Sequence, residues 1–411
     1  MKSNLDALMQ ANHFDALWVM GSGQSNPAMV YLTGGGHLTN ADLIKKTGQT
    51  AVLFHGPMER DEAAKSGLET RSYSNYPLGE LIQEAGGDRF LAGVLRYRNM
   101  FQDLGLTSGR VALYGRLELG PIYATLLALA KALPDLEFVG YQEEDILAEA
   151  MLTKDAAEIE RIRQMGRITT TVVARTANFL SGHRAKNGVL VKANGEPLTI
   201  GEVKSQINLS LAELGAENPS GTIFAIGRDA GVPHSSGKAS DTLMLGQTIV
   251  YDIFPCEQGG GYFYDFTRTW CLGYAPDEVL ALYEQVRTVY SKVLSVMEAN
   301  QPFKNYQRLT CELFEGMGHP TIRSKPETEM GYVHSLGHGV GLKVHERPAS
   351  GMTALEGDCL VPGVVATLEP GLYYPERGMG VRLEDTFWVT PAGKIEVLVP
   401  YSMDLVLPVK Q

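Results

Sequence analysis

Asp252, Asp265, His338, Glu369 and Glu384 stand in locally distinctive segments of the chain: YDIFP, GYFYDFTRTW, HSLGHGVGLKVHE, ATLEPGLYY and GVRLEDTFW. Four carboxylates and one imidazole form an oxygen-rich donor set that suits a pair of divalent ions. A dinuclear site of that kind activates water for hydrolysis. Asp252 and Asp265 fall on successive predicted strands joined by PCEQGG, so a hairpin sets them side by side. Two facing carboxylates repel unless one keeps its proton or a cation bridges them. Either aspartate alone reads more often as a turn cap than as a ligand; the chemistry lies in the set.

The other segments carry their own signals. Glu369 closes an apolar stretch before Pro370-Gly371, and Glu384 interrupts a β-type run. A carboxylate in such a run is costly to bury without a partner or a metal. Arg382, two residues before Glu384, shares its face on a strand. There it holds a neighbouring carboxylate, makes a plain internal salt bridge, or meets a substrate carbonyl. HSLGHGVGLKVHE concentrates His334, His338 and His345 around Gly337, Gly339 and Gly341. Those glycines argue against a helix and for close backbone approach to something bound, with His338 projecting from a loop.

These side chains need elements to position them. Before residue 150, apolar strands at 16–20, 50–56 and 110–115 alternate with helical stretches at 61–68 and 121–133. That alternation predicts an α/β domain over residues 1–150. GGG at 34–36 lacks the spacing of a phosphate loop and reads as a turn. From Thr153 a long amphipathic helix begins, with Asp155 at its start, where acidic residues suit the helix dipole. Helices are expected at 201–214, about 276–299 and 305–317. Strands are expected at 221–227, to near Asp252, at 261–273, and through the β-rich final third. One strand pair then presents Asp252 and Asp265 and another presents Glu369 and Glu384, a faint two-fold logic that puts four carboxylates around one point.

Composition narrows the classes. A chain of 411 residues is long for one core, so two domains are expected. With 44% hydrophobic and 20% charged residues it is globular, and its net charge of −11 without a basic run excludes a nucleic-acid backbone as partner. No stretch approaches the roughly 20 apolar residues of a membrane span. MKSNLDALMQ carries Asp6 where a signal peptide is apolar, so it reads as the first helix. The four cysteines lack metal-type spacing and read as reduced core thiols of a cytoplasmic protein.

Taken together, these segments resemble the M24 metallopeptidases, the pita-bread family of aminopeptidase P, prolidase and methionine aminopeptidase. HSLGHGVGLKVHE fits that family's proline-peptidase signature, and the order Asp, Asp, His, Glu, Glu matches its ligands. The likeness covers 155–411. The first 150 residues resemble, more loosely, the creatinase/prolidase-type N-terminal domain. The implied fold is an α/β N-terminal domain (1–150) and an α+β pita-bread catalytic domain (151–411). The resemblance implies that Asp252 chelates one metal, that His338 and Glu369 bind the other, and that Asp265 and Glu384 bridge them. It makes Glu369 the proton shuttle. It assigns His234 (in GVPHSSG) and His345 to the substrate and the tetrahedral intermediate; Arg382 and Tyr262 are further expected substrate-binding residues. Mn²⁺ is the first choice of metal, Co²⁺ or Zn²⁺ the alternatives, and a homodimer acting on peptides is the family's habit.

The implied activity is hydrolysis of an N-terminal Xaa-Pro or Xaa-Xaa bond, with Xaa-Pro dipeptidase as the alternative. A metal-free creatinase-like hydrolase and a non-enzymatic scaffold are the remaining readings. Two departures bear on substrate. The Asp252–Asp265 loop is about two residues longer than in the family as a whole. HERPAS places Ala349 where prolidases carry an Arg for the dipeptide carboxylate, which counts against a strict dipeptidase.

Overall fold

The computed structural model describes residues 4–140 and 145–410. They divide into two compact units: the chain up to Met151 together with Gly259–Gly261, and Leu152–Gln258 together with Tyr262 onward.

The first unit begins with helix α1 (Leu5–Ala11), while the first three residues of the helix expected there lie outside the described residues. Its sheet has strands β1 (Ala16–Gly21), β2 (Ala41–Lys46), β3 (Val52–His55), β4 (Glu69–Ser72), β5 (Gly109–Arg116) and β6 (Leu136–Val139) in the order β4-β3-β2-β1-β5-β6. β1 is antiparallel to β2 and parallel to β5. Helices α2 (Arg89–Asp103) and α3 (Leu119–Ala132) belong to the same α/β unit. Trp18, fully buried on β1, meets Tyr97 and Phe101 edge-on at 4.9 and 5.2 Å between ring centroids. Strand β2 escapes sequence periodicity because ADLIKK carries Asp42 and Lys45. Both are buried, Asp42 accepting from Trp18 and Tyr73 and Lys45 paired with Asp6.

The second unit opens with α4 (Ala156–Gly182), whose Asp155 cap and Glu158 form a reciprocal capping box. Its buried face recurs every three or four residues, from Ile159 and Ile162 to Val172, Val173 and Leu180. Gly166 belongs to that face for a reason of space: a Cβ there would lie 2.5 Å from the Tyr264 ring, so the segment leading into Asp265 rests on the helix. α5 (Ile200–Glu213), α6 (Asp277–Val296) and α7 (Phe303–Gly316) follow.

Strands β7 (Thr222–Ile226), β8 (Thr248–Ile253) and β9 (Phe266–Leu272) form an antiparallel run, with a C-terminal strand at Val406–Leu407 beside β9. β10 (His338–Gly339), β11 (Glu346–Ala349), β12 (Val365–Leu368), β13 (Gly371–Tyr374), β14 (Met379–Arg382), β15 (Asp385–Val389) and β16 (Ile395–Val397) complete the site-bearing strands. Their main sheet runs β11-β10-β12-β15-β16, and β13 pairs with β14. The strand expected over 261–273 is shorter, beginning only at Phe266, because Tyr262 and Phe263 spend their N–H groups on Glu257 and Gly341.

Candidate metal centre

Strand register delivers the aspartates. Asp252 on β8 lies opposite Thr267 on β9, so Asp265, two residues before Thr267, lies diagonally across on the same face. Asp265 stands one residue ahead of β9 and Glu369 one residue beyond β12, while Glu384 falls between β14 and β15. Glu384 is still locked to the first sheet, its N–H donating to Thr267 O at 3.1 Å. His338 is the first residue of β10.

All five line one cavity of about 550 Å³, together with His234, His334, His345 and Arg382 and an apolar flank that includes Ile223, Phe254 and Val344. Donor atoms of Asp265, His338 and Glu384 lie within 4.8 Å of one another. His338 Nε2 is 3.7 Å from Asp265 Oδ2 and 3.4 Å from Glu369 Oε1. His338 Nδ1 contacts the Gly339 carbonyl at 3.1 Å. A carbonyl only accepts, so that contact places the proton on Nδ1 and leaves the Nε2 lone pair for a ligand. Thr267 Oγ1 donates to Glu384 Oε2 at 2.6 Å, and Thr367 Oγ1 donates to Glu369 Oε1 at 3.2 Å. Each threonine aims a carboxylate.

Burial dominates the electrostatics. It lifts the Asp265 carboxyl well above its ordinary range, and the charges of Asp252 and Glu369 lift it further. Glu384 is raised likewise by burial and then by Asp265. Glu369 is pushed up to about 7 by burial, with Arg382 pulling the other way. Burial lowers His338 to about 4 and His334 to about 3, so both rings are neutral ligands or acceptors at pH 7. Four crowded carboxylates facing one guanidinium want more positive charge than the chain supplies. Oδ1 of Asp252 and Oδ1 of Asp265 are buried with no hydrogen-bond partner. Oxygen donors left bare beside a neutral imidazole nitrogen fit a hard or borderline divalent cation.

Of the readings open for Arg382, the structure shows it holding a neighbouring carboxylate at the cavity wall: it is 3% exposed, and its Nη2 grips Asp252 Oδ2 at 2.5 Å. Its Nη1 donates to the Tyr373 hydroxyl at 2.7 Å and its Nε to Thr267 at 3.2 Å. Tyr262 is not brought to the cavity. Its hydroxyl donates to Glu158 on α4, and the Arg161 guanidinium lies over its ring at 4.7 Å. The motif glycines make room for the chain itself, since a Cβ at Gly337 would lie 2.1 Å from Thr367 O and one at Gly339 would lie 2.0 Å from Arg347 O.

Sequence reasoning gave no role to His334 or Tyr373. His334 Nε2 meets the Tyr373 hydroxyl at 2.9 Å, which continues the chain from Arg382 to the cavity. His334 was visible inside the glycine-rich motif; Tyr373 had no local signal in GLYY.

The sequence model of metallopeptidase family M24 matches residues 160–391, more than half of the chain. The Xaa-Pro dipeptidase of Pyrococcus horikoshii is 26% identical over 388 residues, 94% of this chain and 93% of that protein. The Xaa-Pro dipeptidase of Pyrococcus furiosus is 28% identical over 253 residues, and the match spans 64% of that protein, just under two thirds. Among solved structures, the X-Pro aminopeptidase of Thermotoga maritima superposes with a TM-score of 0.75 at 23% identity, covering 96% of this chain and 98% of that one. The prolidase of Pyrococcus horikoshii gives 0.72 at 22%, covering 98% of each. These likenesses carry the fold: an α/β N-terminal domain and an α+β pita-bread domain. With the matched segment enclosing all five donor residues, the chain belongs to metallopeptidase family M24.

Proposed function

We propose that the chain is a two-metal exopeptidase that removes the first residue of a peptide, preferentially before proline. The observation that carries this reading is the convergence of Asp252, Asp265, His338, Glu369 and Glu384, with two aspartate oxygens left bare. Asp252 would hold one ion, His338 and Glu369 the other, and Asp265 and Glu384 both. Bound there, divalent ions supply Lewis acidity and bring the pKa of water down to about 7. The chain's own residues do the rest. Glu369, a carboxylate at the cavity wall beside the other candidate ligands, is placed to move a proton. His234 and His345 face the cavity, where they can meet the substrate backbone and the developing oxyanion. Arg382 and Tyr373 keep Asp252 and His334 in place.

Peptides longer than two residues are the preferred substrates in this reading. Arg347, the cation nearest in sequence to His345-Glu346, is committed to Asp358 at 2.7 Å, and Ala349 offers no charge for a dipeptide carboxylate. The names of the Pyrococcus relatives favour the alternative, an Xaa-Pro dipeptidase. One screen separates them: protein reconstituted with Mn²⁺, Co²⁺ or Zn²⁺ is assayed on Xaa-Pro dipeptides and Xaa-Pro-Xaa tripeptides. Faster cleavage of tripeptides, abolished by chelation, is expected. Cleavage of neither by metal-loaded protein sinks the peptidase reading, and full activity after chelation points to metal-free chemistry.

Mn²⁺ as the resident ion, residues 1–150 as a creatinase/prolidase-type domain, a cytoplasmic location and a homodimer belong to the same proposal. Four free cysteines support a reducing compartment. Leu119, Tyr123 and Leu127, exposed and spaced by four along α3, form an apolar stripe suited to a second copy. A solution mass of one chain at micromolar concentration would remove the dimer.

A further inference from the structure

Lys154 and Glu346 form an ion pair at 2.8 Å with side chains only 2% and 7% exposed. Neither lines the cavity, and Lys154 precedes the segment matched by the family. The lysine starts from a fixed point. Its backbone N–H donates to Gly363 O at 2.8 Å, and the next residue, Asp155, caps α4. The glutamate in turn spans the turn before it. Glu346 Oε1 accepts the Lys343 N–H at 3.1 Å, and a Cβ at Gly341 would lie 2.3 Å from Glu346 Oε2. The carboxylate therefore lies directly against Gly341, which explains the missing side chain there.

The other side of this turn faces the chemistry. It presents Val344 and His345 to the cavity, and the His345 ring stands edge-on to the His338 ring at 4.2 Å between centroids. The Gly341 carbonyl also accepts the Phe263 N–H at 2.8 Å, two residues ahead of Asp265. A buried ion pair adds little net stability, because desolvation offsets attraction; what this one does is join the start of α4 to the 341–346 turn.

We propose that Lys154, acting through Glu346, is a positioning residue that clamps the 341–346 turn and sets where His345 meets the substrate. This rests on the peptidase reading for the role of His345, but the clamp itself does not. The test compares Lys154→Met with Lys154→Arg in the full chain by three measurements: tripeptide kinetics, Mn²⁺ titration calorimetry, and the imidazole NMR resonance that disappears in His345→Gln. Lys154→Met is expected to move that resonance and to lower kcat about 100-fold, the cost of misplacing a group by about 1 Å. Its Mn²⁺ affinity should change by less than the roughly 10-fold that loss of a ligand's supporting contact costs. Lys154→Arg should restore both the resonance and most of the rate.

An unmoved His345 resonance in Lys154→Met overturns the clamp, and so does Mn²⁺ affinity that falls in step with kcat. If the wild type cleaves no peptide, the peptidase reading fails while the resonance still decides the clamp. If Lys154→Met does not fold, Glu346→Asp replaces it: a displaced resonance supports the proposal and an unchanged one overturns it.

Discussion

Each unit of this protein buries an aspartate on a strand, and the two are treated oppositely. In the first unit, Asp42 accepts from Trp18 Nε1 at 2.8 Å and from the Tyr73 hydroxyl at 2.6 Å. In the second, Asp252 and Asp265 each keep one oxygen bare, and Asp265 faces further carboxylates. A hydrogen-bonded carboxylate is part of the architecture, because its donors offset part of the cost of burial. An unsatisfied carboxylate among others of like charge favours positive charge beside it. Asp385, beside the site, belongs with Asp42: Arg268 and Tyr290 saturate it at 2.8 and 2.6 Å. Burial alone therefore does not mark a functional carboxylate; at Asp252 and Asp265 the missing donor separates them from Asp42.

The sharpest way to break this contrast is to remove one member of each kind. Asp265→Asn should lower peptidase activity by more than about 100-fold, exceeding what loss of an outer supporting contact costs, as steady-state assay of Mn²⁺-loaded protein would show. Retention of activity would demote Asp265 to architecture. Asp42→Ala should instead cost about 2–6 kcal/mol of stability, from about 1–3 kcal/mol for each of two stranded donors, measured by urea unfolding at pH 4, below the folded-state pKa of about 6, with activity per folded molecule at pH 7 unchanged.

The pH dependence of Asp42 follows next. Burial raises its pKa from 3.8 to about 6, against the pull of Tyr73 and Trp18. The folded state holds this proton more tightly than the unfolded state. The resulting stability is complete below pH 3.8 and is lost as pH rises through about 6, amounting to about 3 kcal/mol for a shift of about two units. Asp42→Asn stays neutral and offers both an acceptor to Trp18 and a donor to Tyr73. Its unfolding free energy relative to wild type should climb between pH 4 and 7; a constant difference would refute the linkage.

Smaller effects sharpen the comparison. Thr267→Val deletes the donor to Glu384 and the acceptor for Arg382. It should weaken Mn²⁺ binding about 10-fold, as losses behind a ligand do, and calorimetry reads this directly. In chelated protein, Asp265→Asn should raise stability, because it takes one charge out of a buried cluster of like charges, as urea unfolding would show. A loss there would mean that Asp265 carries structure as Asp42 does.

Much of the site was legible in the chain. Residue type and motif context pick out all five residues that the structure gathers at one cavity, because a carboxylate in an apolar strand, or a histidine among glycines, is conspicuous against its neighbours. α4 was equally plain, its long period and its Asp155 start both being local. β2 was not, since Asp42 and Lys45 break the apolar alternation and only their distant partners justify their burial. Tyr262 is missed for a related reason: its position directly after the glycines at 259–261 says nothing about Glu158, 104 positions earlier in the chain.

The sequence by itself determined the donor types, their order and the strand alternation that turns Asp252, Asp265 and Thr267 to one face. Those properties depend on side-chain chemistry and a period of two residues. Only the tertiary structure decided which atoms stay bare, that Arg382 serves Asp252, and that Lys154 reaches Glu346 across 192 positions. Pairings of that kind arise where segments remote in the chain close on one another, and no local periodicity records which oxygen then finds a donor.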